Sequence, residues 1–252
     1  AGLRVGSNIA RVCAMQGGPQ KMNLSDPDKL SLSNLNRVLG GVGDLGNKKA
    51  DVLLKYLFET DPFLDLHIFD KGVLEDNIEQ FIYIDDKKVD IIVEEVDSLD
   101  TKILIRRFAD KNKIPVLSMT DNGDGVIVDI ERYDRGYHIV DFNERLELIN
   151  IDNPKEATIQ EKAKGITRFI GVDDIETSML DSVAKVGNSL YSWPQLGNAA
   201  IMAGAVGAFL IRQIVCGKEI PSGRVVISLP KLFNLYDHDE ENLRKQILSF
   251  YT

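Results

Sequence analysis

Short apolar runs and amphipathic stretches alternate along the first half of the chain. Val89 to Val93 and Ile114 to Met119 are short β-branched or apolar runs of the kind that form buried parallel strands. Between Asn47 and Thr60 the apolar residues recur instead at helical spacing, at Ala50, Leu53, Leu54, Leu57 and Phe58. This alternation predicts an α/β protein with a Rossmann-like, mainly parallel sheet and helices on both faces.

Beyond Asn122 the pattern changes. Val126 to Ile130 and Tyr137 to Val140 are predicted to be antiparallel strands added to the sheet, and a late strand is expected at Arg224 to Leu229. Helical segments are predicted over residues 154–175, 197–217 and 240–250. We therefore expect residues 1–135 to form the Rossmann-like core and residues 136–252 a C-terminal extension of antiparallel strands and helices packed on the same domain.

The first residues of the chain resemble a strand-to-helix turn. Small residues precede Ile9, Val12 and Met15, which predict an amphipathic helix. A parallel sheet built around this turn needs a strand on its N-terminal side, so we expect a first strand before Ala1. Gly6 precedes Asp26 by about the spacing expected between a phosphate-turn glycine and a ribose-binding acid.

Composition and charge exclude several classes of protein. The net charge of −9 argues against nucleic acid or an anionic membrane as the main partner, since both are bound by clustered Lys and Arg. The two cysteines, Cys13 and Cys216, form no CxxC pair, so we expect neither a disulfide framework nor a thiolate zinc site. A reducing, cytoplasmic setting fits this pattern.

One apolar segment stands out in the second half. The run from Ala199 to Ile211 is shorter than the ~20 residues that cross a bilayer, which predicts a protein without a membrane partner. Residues 197–217 are rich in Ala and Gly and apolar nearly all round. This composition predicts a buried core helix or, as the alternative, a subunit contact in a homodimer.

The polar loop from Ser25 to Arg37 carries the strongest sign of chemistry. It offers the carboxylates of Asp26 and Asp28, the carboxamide of Asn34 and the guanidinium of Arg37 within a few residues of one another. Ribose hydroxyls need hydrogen-bond acceptors, whereas phosphate oxygens need donors and positive charge. The loop therefore indicates a nucleotide site, the alternative being a polar surface turn.

Two further positions could complete such a site. Lys49 lies in the first turn of a predicted helix, where a lysine is unfavourable unless an anion is near, and Lys48 is the rival candidate. Asp97 follows a predicted buried strand, where carboxylates usually reach phosphates through Mg²⁺. The simpler alternative is that Asp97 or Ser98 caps the next helix. The glycines from Gly41 to Gly46 are interpreted as a connection rather than a phosphate loop.

These segments together resemble the ThiF, MoeB and HesA family of ubiquitin-activating-type adenylyltransferases. The loop from Asp26 to Arg37 is similar to the family signature D-x-D-x-V-x-x-S-N-L-N-R. Gly46 to Lys49 matches a G-x-x-K element, and Asp97 to Asp100, followed by Arg106, is similar to the magnesium-binding segment. The resemblance covers roughly the first half of the chain.

The resemblance implies a set of roles for individual residues. ATP and Mg²⁺ would be the cofactors, with the ribose bound by Asp26 and Mg²⁺ by Asp97. Arg37 and Lys49 would neutralise the phosphates, and Asn34 would contact the phosphate region. Gly6 and Asp28 complete the implied nucleotide site.

The resemblance also implies the reaction and the partners. The carboxylate of an acceptor, commonly the C-terminal glycine of a ubiquitin-like or sulfur-carrier protein or a peptide, attacks the α-phosphate of ATP and pyrophosphate is released. Members of the family form homodimers, so a homodimer is expected.

The sequence departs from the family in ways that keep two alternatives open. Ala1, Leu3 and Arg4 stand where the family turn G-x-G-G-x-G-S has glycines, unless residues of the turn are missing and the register shifts. Val38 replaces a common glutamine. These departures favour a catalytically degenerate member that serves as a scaffold or partner subunit. A nicotinamide-dependent dehydrogenase is the third hypothesis, for which the sequence offers no clear proton relay.

Overall fold

The computed structural model describes residues 1–138, 158–192, 194–235 and 238–251. In the first half, helices and strands alternate as α1 Gly6–Met15, β1 Lys21–Ser25, α2 Lys49–Thr60, β2 Asp65–Phe69, α3 Ile78–Ile82, β3 Tyr83–Ile84, β4 Lys87–Lys88, β5 Ile92–Val93, α4 Leu99–Asn112, β6 Val116–Asp121 and β7 Gly125–Glu131. The second half contains α5 Ile159–Ile170, α6 Thr177–Ala184, α7 Gly197–Val215, β8 Gly223–Ser228, α8 Leu229–Leu232 and α9 His238–Tyr251.

The strands combine parallel and antiparallel pairs, which confirms the predicted α/β class. β1 pairs with β2, and β5 with β6, in parallel. β6, β7 and β8 are joined by antiparallel pairs, and β3 and β4 form a small hairpin. The strand predicted over residues 137–140 is not seen at Tyr137 and His138, and its other two residues lie outside the described part of the chain.

The first two residues connect the two parallel pairs. The Gly2 N–H donates to the Ser25 carbonyl at the end of β1, at 2.8 Å. Ala1 donates to the Val93 carbonyl and accepts from the Glu95 N–H at the end of β5, each at 2.8 Å. Ala1 and Gly2 thus lie where a strand between β1 and β5 would end. The strand predicted before them stays a prediction, as does the domain division at residue 135.

Helices cover both faces of the central strands, as predicted. Alternate residues of a strand point to opposite faces. On one face β6 and β7 pack against α1 and α7 through Leu117, Met119, Val126 and Val128. On the other face Val116 joins the cluster that contains α3 and α4, and Ile127 packs with α6 and α9.

The small residues of α7 serve contacts within the chain. A Cβ on Gly204 would lie 3.0 Å from the backbone of Asn8 in α1, and one on Gly207 would lie 2.6 Å from the Met119 side chain. The helices can approach this closely because these positions carry no side chain. Gly204 and Gly207 therefore serve packing within the chain, and the expected subunit contact of this helix stays a prediction.

Helix α7 is longer than the apolar run predicted from the sequence. It has 19 residues, and within the described residues it is the one helix long and apolar enough to cross a membrane by length and composition. The argument that the apolar segment is too short is thus wrong for the whole helix. Its packing against α1, β6 and β7 gives it the role of a core helix.

Candidate functional site

Four segments of the chain bring charged side chains together at the carboxyl ends of β1 and β5. The Lys49 ammonium, at the start of α2, lies 2.8 Å from the Asp28 carboxylate that follows β1. The Arg4 guanidinium, just before α1, lies 4.0 Å from Asp28 and 2.7 Å from Asp97, which follows β5. We call Arg4, Asp28, Lys49 and Asp97 the charged cluster. It lies where open α/β sheets bind ligands.

The Asp26 carboxylate holds the turn that precedes α1. It is buried, and it accepts the Leu3 N–H at 2.7 Å and the Asp28 N–H at 2.8 Å, one on each oxygen. The Asp28 side chain is 53% exposed and contacts Lys49 within the charged cluster. The ribose contact that the resemblance gives to Asp26 stays a prediction, and Asp28 is the more exposed of the two carboxylates.

The structure separates the two candidate lysines. The Lys49 side chain is 1% exposed and points at Asp28, with Asp26 also 3.7 Å away. The Lys48 side chain is 42% exposed and pairs with Asp70 at the surface. Lys49 is thus the lysine that joins the charged cluster, and its burial makes it part of the local structure as well.

Arg37 lies beside the charged cluster. Its Nη1 donates to the Ser33 carbonyl at 2.7 Å and to Asn36 Oδ1 at 2.8 Å, while its Nε is buried without a partner. Burial, reinforced by the positive charge of Arg4, lowers the pKa of Arg37. A half-buried guanidinium with an unused N–H is suited to bind an anion.

Asn34 shapes the loop that carries Arg37. Residues Leu32–Asn34 form a 3₁₀ turn, and Asn34 Oδ1 accepts the Ser31 N–H at 3.1 Å. Asn34 is buried. Its contact with the backbone gives it a role in positioning the loop, and contact with a phosphate stays a prediction.

The glycine that the turn requires is Gly2, which sequence reasoning did not select. Gly2 has φ +84°, and a Cβ there would lie 2.3 Å from the Glu95 carbonyl oxygen. Gly6, predicted as the phosphate-turn glycine, begins α1, and a Cβ there would make an ordinary contact at 3.8 Å. The sequence did offer a sign of this role, since Gly2 stands at the start of the same turn as Gly6. The free N–H groups at the start of α1 form a general anion-binding feature.

A buried network fixes the segment that carries Asp97. Glu94 is fully buried and accepts from Lys102 at 2.9 Å, from Arg106 at 2.6 Å and from the Val96 N–H at 2.8 Å. Arg106 also pairs with Glu131 at 2.9 Å. Burial alone would raise the pKa of Glu94, but the charges of Lys102 and Arg106 outweigh it and lower this pKa to about 2. Arg106 thus belongs to the buried network rather than to the charged cluster.

Glu95 and Asp97 face different surroundings. Glu95 accepts the Met119 N–H at 2.7 Å, and burial together with the charge of Glu94 raises its pKa well above the usual range. Asp97 has a 58% exposed side chain. Ser98, rather than Asp97, caps α4 by accepting the Thr101 N–H. Asp97 is therefore available to a ligand.

The donor set fits a magnesium ion that is shared with a nucleotide. Within the described part of the chain no three His, Cys, Asp or Glu side chains form a metal-binding group. Mg²⁺ is typically held by one or two carboxylates together with phosphates and water, not by a cage of protein ligands. The exposed carboxylate of Asp97, within the charged cluster, satisfies this requirement.

Comparison with known families identifies the class of protein. The ThiF family profile matches residues 2–226, so the chain belongs to the ThiF family. This match confirms the resemblance deduced from the loop around Asp28 and Arg37, and it extends beyond the first half of the chain.

Two relatives of known sequence share part of the chain. The uncharacterized protein MT1398 of Mycobacterium tuberculosis is 31% identical over 236 residues, which cover 94% of this chain and 32% of MT1398. The tRNA threonylcarbamoyladenosine dehydratase 1 of Saccharomyces cerevisiae is 30% identical over 110 residues, covering 42% of this chain and 26% of that enzyme. The chain thus spans a third or less of the length of these relatives.

Solved structures confirm the fold. PaaA superposes with a TM-score of 0.64 at 17% identity, over 90% of this chain and 59% of PaaA. Escherichia coli TcdA, a tRNA N6-threonylcarbamoyladenosine dehydratase in complex with AMP, superposes with a TM-score of 0.54 at 18% identity. The match covers 85% of this chain and 84% of TcdA. Escherichia coli MccB with AMPCPP and MccA superposes with a TM-score of 0.55 at 14% identity, over 88% of this chain and 57% of MccB.

Proposed function

We propose that this chain is an ATP-dependent adenylyltransferase that activates the carboxylate of a ubiquitin-like protein, a sulfur carrier or a peptide. The charged cluster is the observation that supports this function, because it combines an acceptor for ribose, cations for phosphates and a carboxylate suited to Mg²⁺. Two structural neighbours, TcdA solved with AMP and MccB solved with AMPCPP, also favour an adenine nucleotide.

The proposed reaction makes one bond and breaks one. An oxygen of the acceptor carboxylate attacks the α-phosphorus of ATP, and the bond from that phosphorus to the bridging oxygen of the β-phosphate breaks. Pyrophosphate leaves with the electron pair, and the product is an acyl-adenylate. Mg²⁺, when bound by Asp97, would neutralise phosphate charge.

The protein side chains then supply position and charge. Asp28 accepts a hydrogen bond from a ribose hydroxyl, and Lys49 and Arg37 stabilise the phosphate charge that shifts towards pyrophosphate. Arg4 stands where the family turn has glycine, and its guanidinium adds a third cation within reach of this site. The departure at Arg4 is therefore compatible with phosphate binding.

The nucleotide specificity can be tested by calorimetry. We expect Mg·ATP to bind more tightly than NAD⁺, and Asp28→Asn to weaken ATP binding by about tenfold, because a hydrogen bond to a charged group contributes about 1.5 kcal/mol or more. Asp70→Asn is the matched control, since Asp70 pairs with Lys48 outside the cluster. NAD⁺ binding as tightly as Mg·ATP would contradict the proposal and favour a dehydrogenase.

We also propose a homodimer, formed through the outward face of α7. Ile201 is 65% exposed and Phe209 is 48% exposed on this helix, and Met15 of the adjacent α1 is 64% exposed. Exposed apolar side chains on neighbouring helices are candidates for burial in an interface. We expect a dimer at micromolar concentration in sedimentation and a monomer for Phe209→Glu. Leu232→Glu, on the separate helix α8, should leave the dimer intact, and a monomeric wild-type protein would refute this arrangement.

A further inference from the structure

A cavity begins at the charged cluster and runs between β6 and the helices α5 and α6. Arg4 and Asp97 line its near end. Met119, Thr120 and Asp121 of β6 line one side. The opposite wall is apolar and consists of Ile166, Ile170, Ile175, Met179 and Val183. A molecule that fills this cavity would therefore have one end beside the phosphates of a bound nucleotide.

Asp121 lines this cavity and has one carboxylate oxygen without a hydrogen-bond partner. The residue is 8% exposed. Its Oδ2 accepts from Gln195 Nε2 at 3.1 Å, whereas Oδ1 is buried without a partner. Burial raises the pKa of Asp121 to about 6, and the charge of Arg37 opposes this rise. A buried carboxylate oxygen without a donor is costly, so a ligand that brings an N–H group to Oδ1 would relieve this cost.

The acceptor in the proposed reaction is a carboxylate. In the last residue of a peptide a carboxylate and a backbone N–H lie close together. When the carboxylate of that residue lies at the charged cluster, its backbone N–H is therefore a donor that the peptide offers to Asp121.

The lining of the cavity argues against a nucleic acid. Among the described residues that line it, the cations are Arg4 and Lys102, which are paired with Asp97 and Glu94. Two further acidic residues, Glu95 and Asp121, share the lining. A phosphate backbone would meet more acidic than basic side chains here, whereas an apolar side chain would pack against the wall of α5 and α6.

The geometry points to an acceptor subsite for the C-terminus of a peptide with an apolar last residue, whose backbone N–H donates to Asp121 Oδ1 and whose side chain packs against α5 and α6. This inference rests on the proposed adenylyltransferase function and specifies its substrate. A tail that ends in glycine buries no side chain against the apolar wall, so it binds more weakly.

The test uses N-acetylated tetrapeptides that differ only at the last residue, in an ATP–pyrophosphate exchange assay. With the wild-type protein, the KM of the peptide ending in leucine should be at least tenfold lower than that of the peptide ending in glycine, because about 1.5–3 kcal/mol accompanies burial of such a side chain. Methylation of the last backbone nitrogen, which removes the N–H donor, should raise the KM by about tenfold.

Asp121→Ala should remove the effect of methylation. In this variant the KM for the leucine peptide should already be about tenfold higher, and N-methylation should add little, because the acceptor of that N–H is gone. Asp124→Ala is the matched control, since Asp124 is exposed on the turn that follows and is not among the residues that line the cavity. Should Asp121→Ala fail to fold, the methylated and unmethylated peptides still decide the question with the wild-type protein.

The outcomes separate this inference from the proposed function. Equal KM values for the leucine and glycine peptides, or an equal methylation penalty with and without Asp121, would overturn the subsite. Exchange that depends on tRNA and on no peptide would overturn it as well. If Mg·ATP binds in calorimetry but no peptide supports exchange, the subsite fails and the nucleotide site stands. If Mg·ATP does not bind, the proposed function fails and the subsite with it.

Discussion

Asp97→Asn and Lys49→Met should each lower acceptor-dependent ATP–pyrophosphate exchange by about a hundredfold or more. A preorganised charged group that acts on a transition state typically contributes about 3–4 kcal/mol. Negative charge on the phosphates moves as pyrophosphate departs. Lys49 would neutralise this charge directly, and Asp97 would do so through Mg²⁺, so kcat should fall more than the affinity for Mg·ATP. The assay uses a mixture of peptides with free C-termini as acceptors, and it measures the rate at saturating and subsaturating ATP.

The two variants differ in what they do to stability. Asp97 has a 58% exposed side chain, so Asp97→Asn should leave the thermal midpoint nearly unchanged. Lys49 is buried against Asp26 and Asp28, and Lys49→Met should lower the midpoint as well. Lys48→Met is the control for the lysine, since Lys48 pairs with Asp70 at the surface. If Asp97→Asn kept the exchange rate of the wild-type protein, Asp97 would have no part in the reaction.

Arg106→Leu should reduce the free energy of unfolding by about 3–5 kcal/mol, because it leaves the buried Glu131 without its cation and Glu94 with Lys102 alone. Arg106 is 2% exposed and pairs with both Glu94 and Glu131. Urea denaturation followed by circular dichroism measures the change. Lys185→Ala is the matched control, since it removes an exposed ion pair with Asp181, and such pairs contribute less than about 1 kcal/mol.

The stability lost in Arg106→Leu should depend on pH because of Glu94. Its pKa in the folded protein, about 2, lies below the ordinary value of 4.5. The ionised carboxylate therefore stabilises the fold above about pH 4.5, and this stabilisation is lost as the pH falls through the folded value. The stability difference between wild type and Arg106→Leu should shrink over the same interval. If Arg106→Leu lowered the free energy of unfolding at pH 7 by no more than Lys185→Ala does, the role of the buried network would be contradicted.

The parts of the site that the sequence predicted are those carried by local patterns. The loop from Asp26 to Arg37 is contiguous, so its residue types alone indicated a nucleotide site. Helical spacing placed Lys49 in the first turn of α2, and the structure confirms that position. In each case a few neighbouring residues determine the local structure.

The parts that the sequence did not predict depend on contacts between distant segments. Asp26 differs from Asp28 because its oxygens meet the N–H groups of Leu3 and of Asp28 itself, which no spacing reveals. The pairing of Arg106 with Glu131 joins α4 to β7.

Strand β5 shows the same limit for secondary structure. The apolar run predicted a strand from Val89 to Val93, but β5 comprises Ile92–Val93. The Val89 N–H donates instead to the Ile82 carbonyl at the end of α3, at 3.0 Å. A tertiary contact thus overrides the local β propensity at the start of the run.

The most direct test of the central claim is ATP–pyrophosphate exchange by the wild-type protein with two matched peptide mixtures. One mixture has free C-terminal carboxylates, and the other carries the same sequences as C-terminal amides. If the chain activates a carboxylate through Mg·ATP, exchange should occur with the free carboxylates and be absent with the amides. Equal exchange with both mixtures, or formation of ADP and phosphate in place of AMP and pyrophosphate, would contradict it.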